Sequence, residues 1–153
     1  VVIRCAWQPL AEVLAEPNAI DMIRDYAEEL SPLRDKVPLA PDWPRMAELE
    51  KAGIYKLWSC RVDGTLAGYI SFLVMPHHHY RDTLFALDQG HYLAPAYRST
   101  PGRIGLKMWR SVEPALRDLG VKWIMAHDGQ RSLLPFFLAL DYHPRSVLFW
   151  KEL

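Results

Sequence analysis

Cysteine is scarce in this chain, with Cys5 and Cys60 the two among 153 residues. Their separation matches neither a zinc-binding nor a redox motif, which argues against a disulfide scaffold and predicts two reduced, buried thiols. Net charge is absent as well. The 18 Lys and Arg balance the 18 Asp and Glu, so whole-molecule attraction to nucleic acid or an anionic membrane is not expected. No apolar run approaches the roughly 20 residues needed to cross a bilayer. The opening VVIRCAWQPL lacks the basic start, long apolar stretch and small-residue cleavage site of a secretory leader, and the expected location is the cytoplasm. Internal repeats and low-complexity tracts are missing too. What is present is an ordinary globular composition, 50% apolar and 24% charged, in a length that suits one domain over residues 1–153 with a real core.

Hydrophobic periodicity and turn residues divide the chain. Val1 to Trp7 suits a first strand. Ile20, Ile23, Ala27 and Leu30 recur at helical spacing between Asn18 and Leu30. A stiff connector follows, punctuated by Pro32, Pro38, Pro41 and Pro44, after which Asp42 can cap a short helix over Arg45 to Ala52. Ile54 to Val62 and Thr65 to Met75 read as two central strands around Asp63-Gly64, a turn whose residues accept positive φ. Thr83 to Leu93 is a further strand, with Gly90 marking a bulge. A long helix over Arg103 to Leu119, a strand over Val121 to His127, a helix over Ser132 to Leu140 and a closing strand over Ser146 to Leu153 complete an α/β order with a mixed sheet. Pro114 should bend or shorten the long helix.

The stretch from Tyr92 to Gly120, YLAPAYRSTPGRIGLKMWRSVEPALRDLG, carries the functional signal. A strand end runs through a loop rich in Pro, Gly, Ser and Arg into a helix whose first turn holds Gly105 between Arg103 and Lys107. Unpaired N–H groups of that turn and the helix dipole favour an anion, and glycine lets a phosphate approach the main chain. A nucleotide-type cofactor held by its phosphates is the expectation.

Leu93, Pro95, Tyr97, Arg98, Ile104 and Gly105 resemble, in order, the V-x-P-x-Y-R-G-x-G-I-G pattern of the GNAT superfamily of acetyl-CoA-dependent N-acyltransferases. LGVKWIMAHD and LPFFLALDYHP look like that family's next strand and its "LGF" helix end. The PHHHY segment is similar to small phage- and prophage-encoded members. The likeness runs from Ile54 onward. It departs from the pattern in the loop, where five residues, Ser99 to Arg103, stand in place of three and the glycines read G-x-x-G at Gly102 and Gly105.

The resemblance implies a mixed, mostly antiparallel sheet flanked by helices on both faces, and acetyl transfer directly to a primary amine of a small molecule or peptide. It assigns the backbone of Tyr92 and Leu93 to the pantetheine and thioester carbonyl, and Arg98, Gly102, Arg103, Ile104, Gly105, Leu106 and Lys107 to the phosphate end, with Arg110 within reach. The family's Glu base position, eight residues before Pro95, falls on Leu87, and its Tyr acid position falls on Phe137. Asp88, if a bulge shifts the register, or His91 could serve as base, and His127 or a water as acid. His79, Tyr80 and Trp43 are candidates for the acceptor pocket. His77, His78 and His79 are adjacent and cannot all converge on one ion from a strand, so no metal is assigned. A catalytically inactive CoA-binding or regulatory module, and a cofactor-free interaction domain, are the alternatives. The apolar last strand could form a homodimer edge.

Overall fold

The computed structural model describes all residues except Pro32, Arg34, 100–102, 129–132, Val147, Trp150, Glu152 and Leu153. Its strands are β1 (Ile3–Trp7), β2 (Tyr55–Val62), β3 (Thr65–His77), β4 (Tyr80–Leu93) and β5 (Val121–Met125). Its helices are α1 (Leu10–Leu14), α2 (Ala19–Leu30), α3 (Trp43–Lys51), α4 (Ile104–Asp118) and α5 (Leu134–Leu138), with a 3₁₀ turn at Pro95–Tyr97. The strands form one sheet in the order β1-β2-β3-β4-β5, antiparallel except for the parallel β4–β5 pair. This is the mixed α/β sheet expected, with helices on both faces.

Strand alternation builds two apolar layers. Trp58, Cys60, Ile70, Phe72 and Ala86 pack under Ile104, Met108, Trp109, Val112 and Leu116 of α4 and Phe137 of α5. Tyr55, Leu57, Leu66, Tyr69 and Tyr92 face Leu10, Val13, Ala19 and Met22 on the opposite side. Because β2 and β3 are covered on both faces, they are apolar throughout, as central strands must be. Their turn places Asp63 at φ 49° and Gly64 at φ 87°, the hairpin geometry that Asp-Gly favours.

Several expectations are corrected. In α2 the buried face is Ala19, Met22 and Ala27, and Ile20 is 46% exposed. Of the expected face, Ala27 is buried and Ile23 packs against the core, joined by Ala19, Met22 and Tyr26 in place of Ile20. Strands β3 and β4 run past Met75 and before Thr83 to a tight hairpin at His77–Tyr80. Pro114 does not end α4, which continues to Asp118. Strand β5 stops at Met125 and α5 covers only Leu134–Leu138. Ser146, Leu148, Phe149 and Lys151, the described members of the expected closing strand, are outside regular structure, and its remaining members, Val147, Trp150, Glu152 and Leu153, lie outside the described residues.

Candidate active site

Strand β4 and strand β5 pair only from Leu84 to Leu87. Beyond that point β4 continues to Leu93 while β5 ends, so the last six residues of β4 have no strand partner on that side among the described residues. Which backbone groups face this opening follows from the β3 side. Ala94 N–H donates to Ala67 O at 2.9 Å, which makes Ala94 and Tyr92 the residues bonded to β3 and turns the main-chain groups of His91 and Leu93 outward. The Leu93 carbonyl is taken by Arg98 Nε at 2.6 Å.

The register of β3 against β4 contains the expected bulge. Ser71 opposes Gly90 while Phe72 opposes Asp88, leaving Gln89 as the extra residue. Residues three apart on a regular strand point to opposite faces. The bulge restores a common face, and Asp88 and His91 both project toward α4. Asp88 is fully buried. Its Oδ1 accepts from Gly90 N–H at 2.8 Å, and its Oδ2 meets His91 Nδ1 at 2.7 Å and the His127 N–H at 3.3 Å. These donors compensate the charge of an ionised carboxylate that burial would otherwise make costly.

With Asp88 ionised, His91 Nδ1 carries the proton and Nε2 has the free lone pair. The His91 ring is walled by Trp109 at 5.3 Å and Phe137 at 5.9 Å, both edge-on. On the other face of the sheet, the Tyr26 hydroxyl lies where a Cβ on Gly90 would stand, 2.9 Å away. Burial, reinforced by the Asp88 charge, pushes the Tyr26 phenol up. The sequence reading gives Tyr26 and Trp109 no place in the site and brings in Phe137 only as the occupant of the acid position; the bulge sets Trp109 and Phe137 against His91 and Tyr26 against Gly90.

Helix α4 opens beside this pair. Arg103, its N-cap residue, is left-handed at φ 47°, and Lys107 N–H closes the first helical bond onto Arg103 O at 3.0 Å. The N–H groups of Ile104, Gly105 and Leu106 have no acceptor within the helix. Ile104 is buried in the core, whereas Arg103, Lys107 and Arg110 are exposed, at a spacing of four and three that sets them on one face. A Cβ on Gly105 would meet Phe136 and Leu93 only at ordinary contact distances of 3.6 and 3.7 Å. Packing within the chain does not demand a glycine there.

Other assigned residues lie elsewhere. The Arg98 guanidinium is engaged within the chain: it pairs with Glu29 at 3.0 Å, bonds the Leu93 carbonyl, and sits 4.9 Å over the Tyr92 ring. The Tyr92 side chain is buried against α2, its hydroxyl donating to Glu29 at 2.9 Å. Burial first, then Glu29, pushes that phenol up to about 12. His127 meets Asp88 through its backbone while its side chain is exposed. His79 and Tyr80 are at the far hairpin, eight residues or about 26 Å of strand from Asp88 at roughly 3.3 Å per residue. There, His77 stacks on Phe85 and Tyr80. Trp43 packs on the α1–α2 layer. Gly102 lies outside the described residues. Among those described, no group of three or more His, Cys, Asp or Glu is placed to hold a metal ion, and no helix is long and apolar enough to cross a membrane.

The mixed five-stranded sheet with helices on both faces has the fold of solved N-acetyltransferases. An aminoglycoside acetyltransferase from an uncultured soil metagenomic sample, solved with trehalose, shares it at TM-score 0.72 and 14% identity, over 99% of this chain and 96% of its own. A transcriptional regulator from Bacillus halodurans C-125 does so at 0.74 and 16%, over 99% and 100%. A predicted acetyltransferase with acetyl-CoA from Clostridium acetobutylicum does so at 0.64 and 8%, over 99% and 96%. No family model and no curated protein sequence matches the chain.

Proposed function

We propose that this protein is an acetyl-CoA-dependent N-acetyltransferase that acts directly on a primary amine of a small molecule or peptide. The observation that carries the reading is the Asp88–His91 pair, placed on one face by the bulge at the mouth of the β4–β5 gap. The residues present fit the cofactor. Three first-turn N–H groups of α4, a Gly105 whose bare face packing does not require, and exposed Arg103, Lys107 and Arg110 suit the phosphates. The outward main chain of His91 and Leu93 suits the pantetheine amides.

Acetyl-CoA supplies an activated thioester carbonyl when bound. His91 Nε2 takes the proton of the acceptor ammonium, while Asp88 holds Nδ1–H and stabilises the imidazolium that results. The outward Leu93 N–H would be the backbone donor to the thioester carbonyl. Trp109 and Phe137 keep water from the imidazole. Phe137 has no proton to give, so a departing thiolate would take its proton from water.

One assay separates this reading from its rival. CoA thiol release is followed across a panel of aminoglycosides, amino sugars, polyamines and N-terminal peptides; turnover on any of them supports the enzyme. The rival is a CoA-binding regulatory module, favoured by Phe137 at the acid position and by the structural likeness to a transcriptional regulator. Binding without turnover would favour it. An unchanged melting temperature at ~100 times a typical dissociation constant of acetyl-CoA, where about 2.7 kcal/mol of stabilisation is due, would overturn both. Single-domain organisation over 1–153, a cytoplasmic location, kinship with phage-encoded members, homodimer formation and the lack of a nucleic-acid partner are parts of the same proposal.

A further inference from the structure

The two cysteines, 55 residues apart in sequence, face each other across β1 and β2. Backbone bonds on either side define the kind of pair. Gln8 N–H donates to Leu57 O and Asp63 N–H to Val2 O, so bonded pairs fall at the even positions of β1, and Cys5 opposite Cys60 is a non-hydrogen-bonded pair. Such pairs bring the Cα atoms to about 4.5 Å, inside the span that a disulfide bridges. Both side chains project toward α4. Their Sγ atoms are 2.7 Å apart, closer than two unbonded sulfurs ordinarily rest and roughly 0.7 Å from the bond length of about 2.05 Å.

The two thiols differ in access. Cys60 is fully buried and Cys5 is partly exposed on the edge strand. The Cys60 thiol beside it brings the Cys5 thiol down to about 7, with the Ser111 hydroxyl of α4 adding to the effect and burial opposing it. Cys60 is pushed up, first by Cys5 and then by burial. An attacking thiol near ambient pH beside a protonated, shielded partner is the arrangement that thiol–disulfide exchange favours.

We propose that Cys5 and Cys60 form a reversible oxidation site, at which a small disulfide of the glutathione type closes a cross-strand disulfide in the folded protein. The Cys5 thiolate attacks one sulfur of glutathione disulfide, forming the mixed disulfide and expelling glutathione thiolate. That thiolate takes the Cys60 proton. Cys60 sulfur then attacks Cys5 sulfur, expelling the second glutathione, which is protonated by the proton Cys5 gave up. Two thiols are oxidised and one disulfide is reduced. None of these residues belongs to the proposed acetyl-transfer site, so the two readings fail independently.

The test uses the whole reduced protein, incubated with glutathione disulfide without denaturant, then quenched in acid and followed by intact mass and by thiol titration after unfolding. Both thiols should disappear together, with a loss of two hydrogens, no retained glutathione and no dimer, and dithiothreitol should restore them. The melting temperature should rise on oxidation. Cys60→Ser should stop at a stable glutathione adduct on Cys5, and Cys5→Ser should stay unmodified. A lasting adduct on Cys5 in the parent protein, disulfide-linked dimers, or two intact thiols would overturn the proposal, as would a disulfide that forms only in denaturant.

Discussion

Asp88 and His91 are three residues apart on β4 yet share one face, with His91 Nδ1 2.7 Å from Asp88 Oδ2, because Gln89 is extruded as a bulge. A carboxylate that holds Nδ1–H fixes the tautomer in which Nε2 accepts.

His91→Gln removes the base and should lower kcat/KM by about 10²–10⁴, with the acidic-limb ionisation lost from the pH–rate profile. Asp88→Asn keeps an acceptor for Gly90 N–H but faces His91 with an amide donor, which turns Nε2 into the protonated nitrogen. Its loss should be of the same order, and the double variant should be little worse than either single one. Independent, multiplying losses would show that the two residues do not act as a unit.

Gly105→Glu tests the phosphate end. The new side chain starts at ordinary contact distance from Phe136 and Leu93, so the apo protein should melt within a few degrees of the parent. A carboxylate set against the first-turn N–H groups should abolish the thermal shift given by acetyl-CoA. A retained shift would place the phosphates elsewhere.

Arg98 and Lys107 should separate stability from binding. Arg98 is half buried with Glu29 and bonds the Leu93 carbonyl, and Arg98→Ala should cost about 1–3 kcal/mol in urea unfolding. Lys107→Ala removes an exposed side chain and should leave stability within roughly 0.5 kcal/mol while weakening acetyl-CoA binding and flattening its salt dependence. The opposite pattern would return Arg98 to the phosphate site.

Glu113 Oε1 and the Tyr142 hydroxyl are buried without a hydrogen-bond partner among the described residues. Tyr142→Phe should therefore cost no more than about 1 kcal/mol of unfolding free energy, and should stabilise the chain if the hydroxyl is unsatisfied in solution. Burial raises Glu113 despite Arg117 and Arg110, so the folded chain holds that proton more tightly than the unfolded chain. Its favourable contribution is full below the ordinary carboxylate value of about 4.5 and is lost as pH rises through the raised folded value. Glu113→Gln should make the melting temperature fall less between about pH 4 and pH 7. An unchanged slope would mean that the carboxylate is solvated.

Local chemistry made much of this legible. The Asp63-Gly64 hairpin, the apolar β2 and β3, the start of α4 and the irregularity at Gly90 each depend on residues adjacent in the chain, and so do backbone propensity and periodicity. The resemblance of Leu93 to Gly105 to an acyl-CoA loop lies at the same local level. Pairing across the sheet decided what lay beyond it. The alternatives Asp88 and His91 became partners only when β3 fixed which residue bulges, and Arg98 turned inward because α2 presents Glu29 to it. His79 and Tyr80 are carried away from Asp88 and His91 by the length of β4, which begins at Tyr80 and not at the expected Thr83. Cys5 and Cys60, far apart in sequence, meet because β1 and β2 share one register. A register is a sum over long-range contacts, and no single segment contains it.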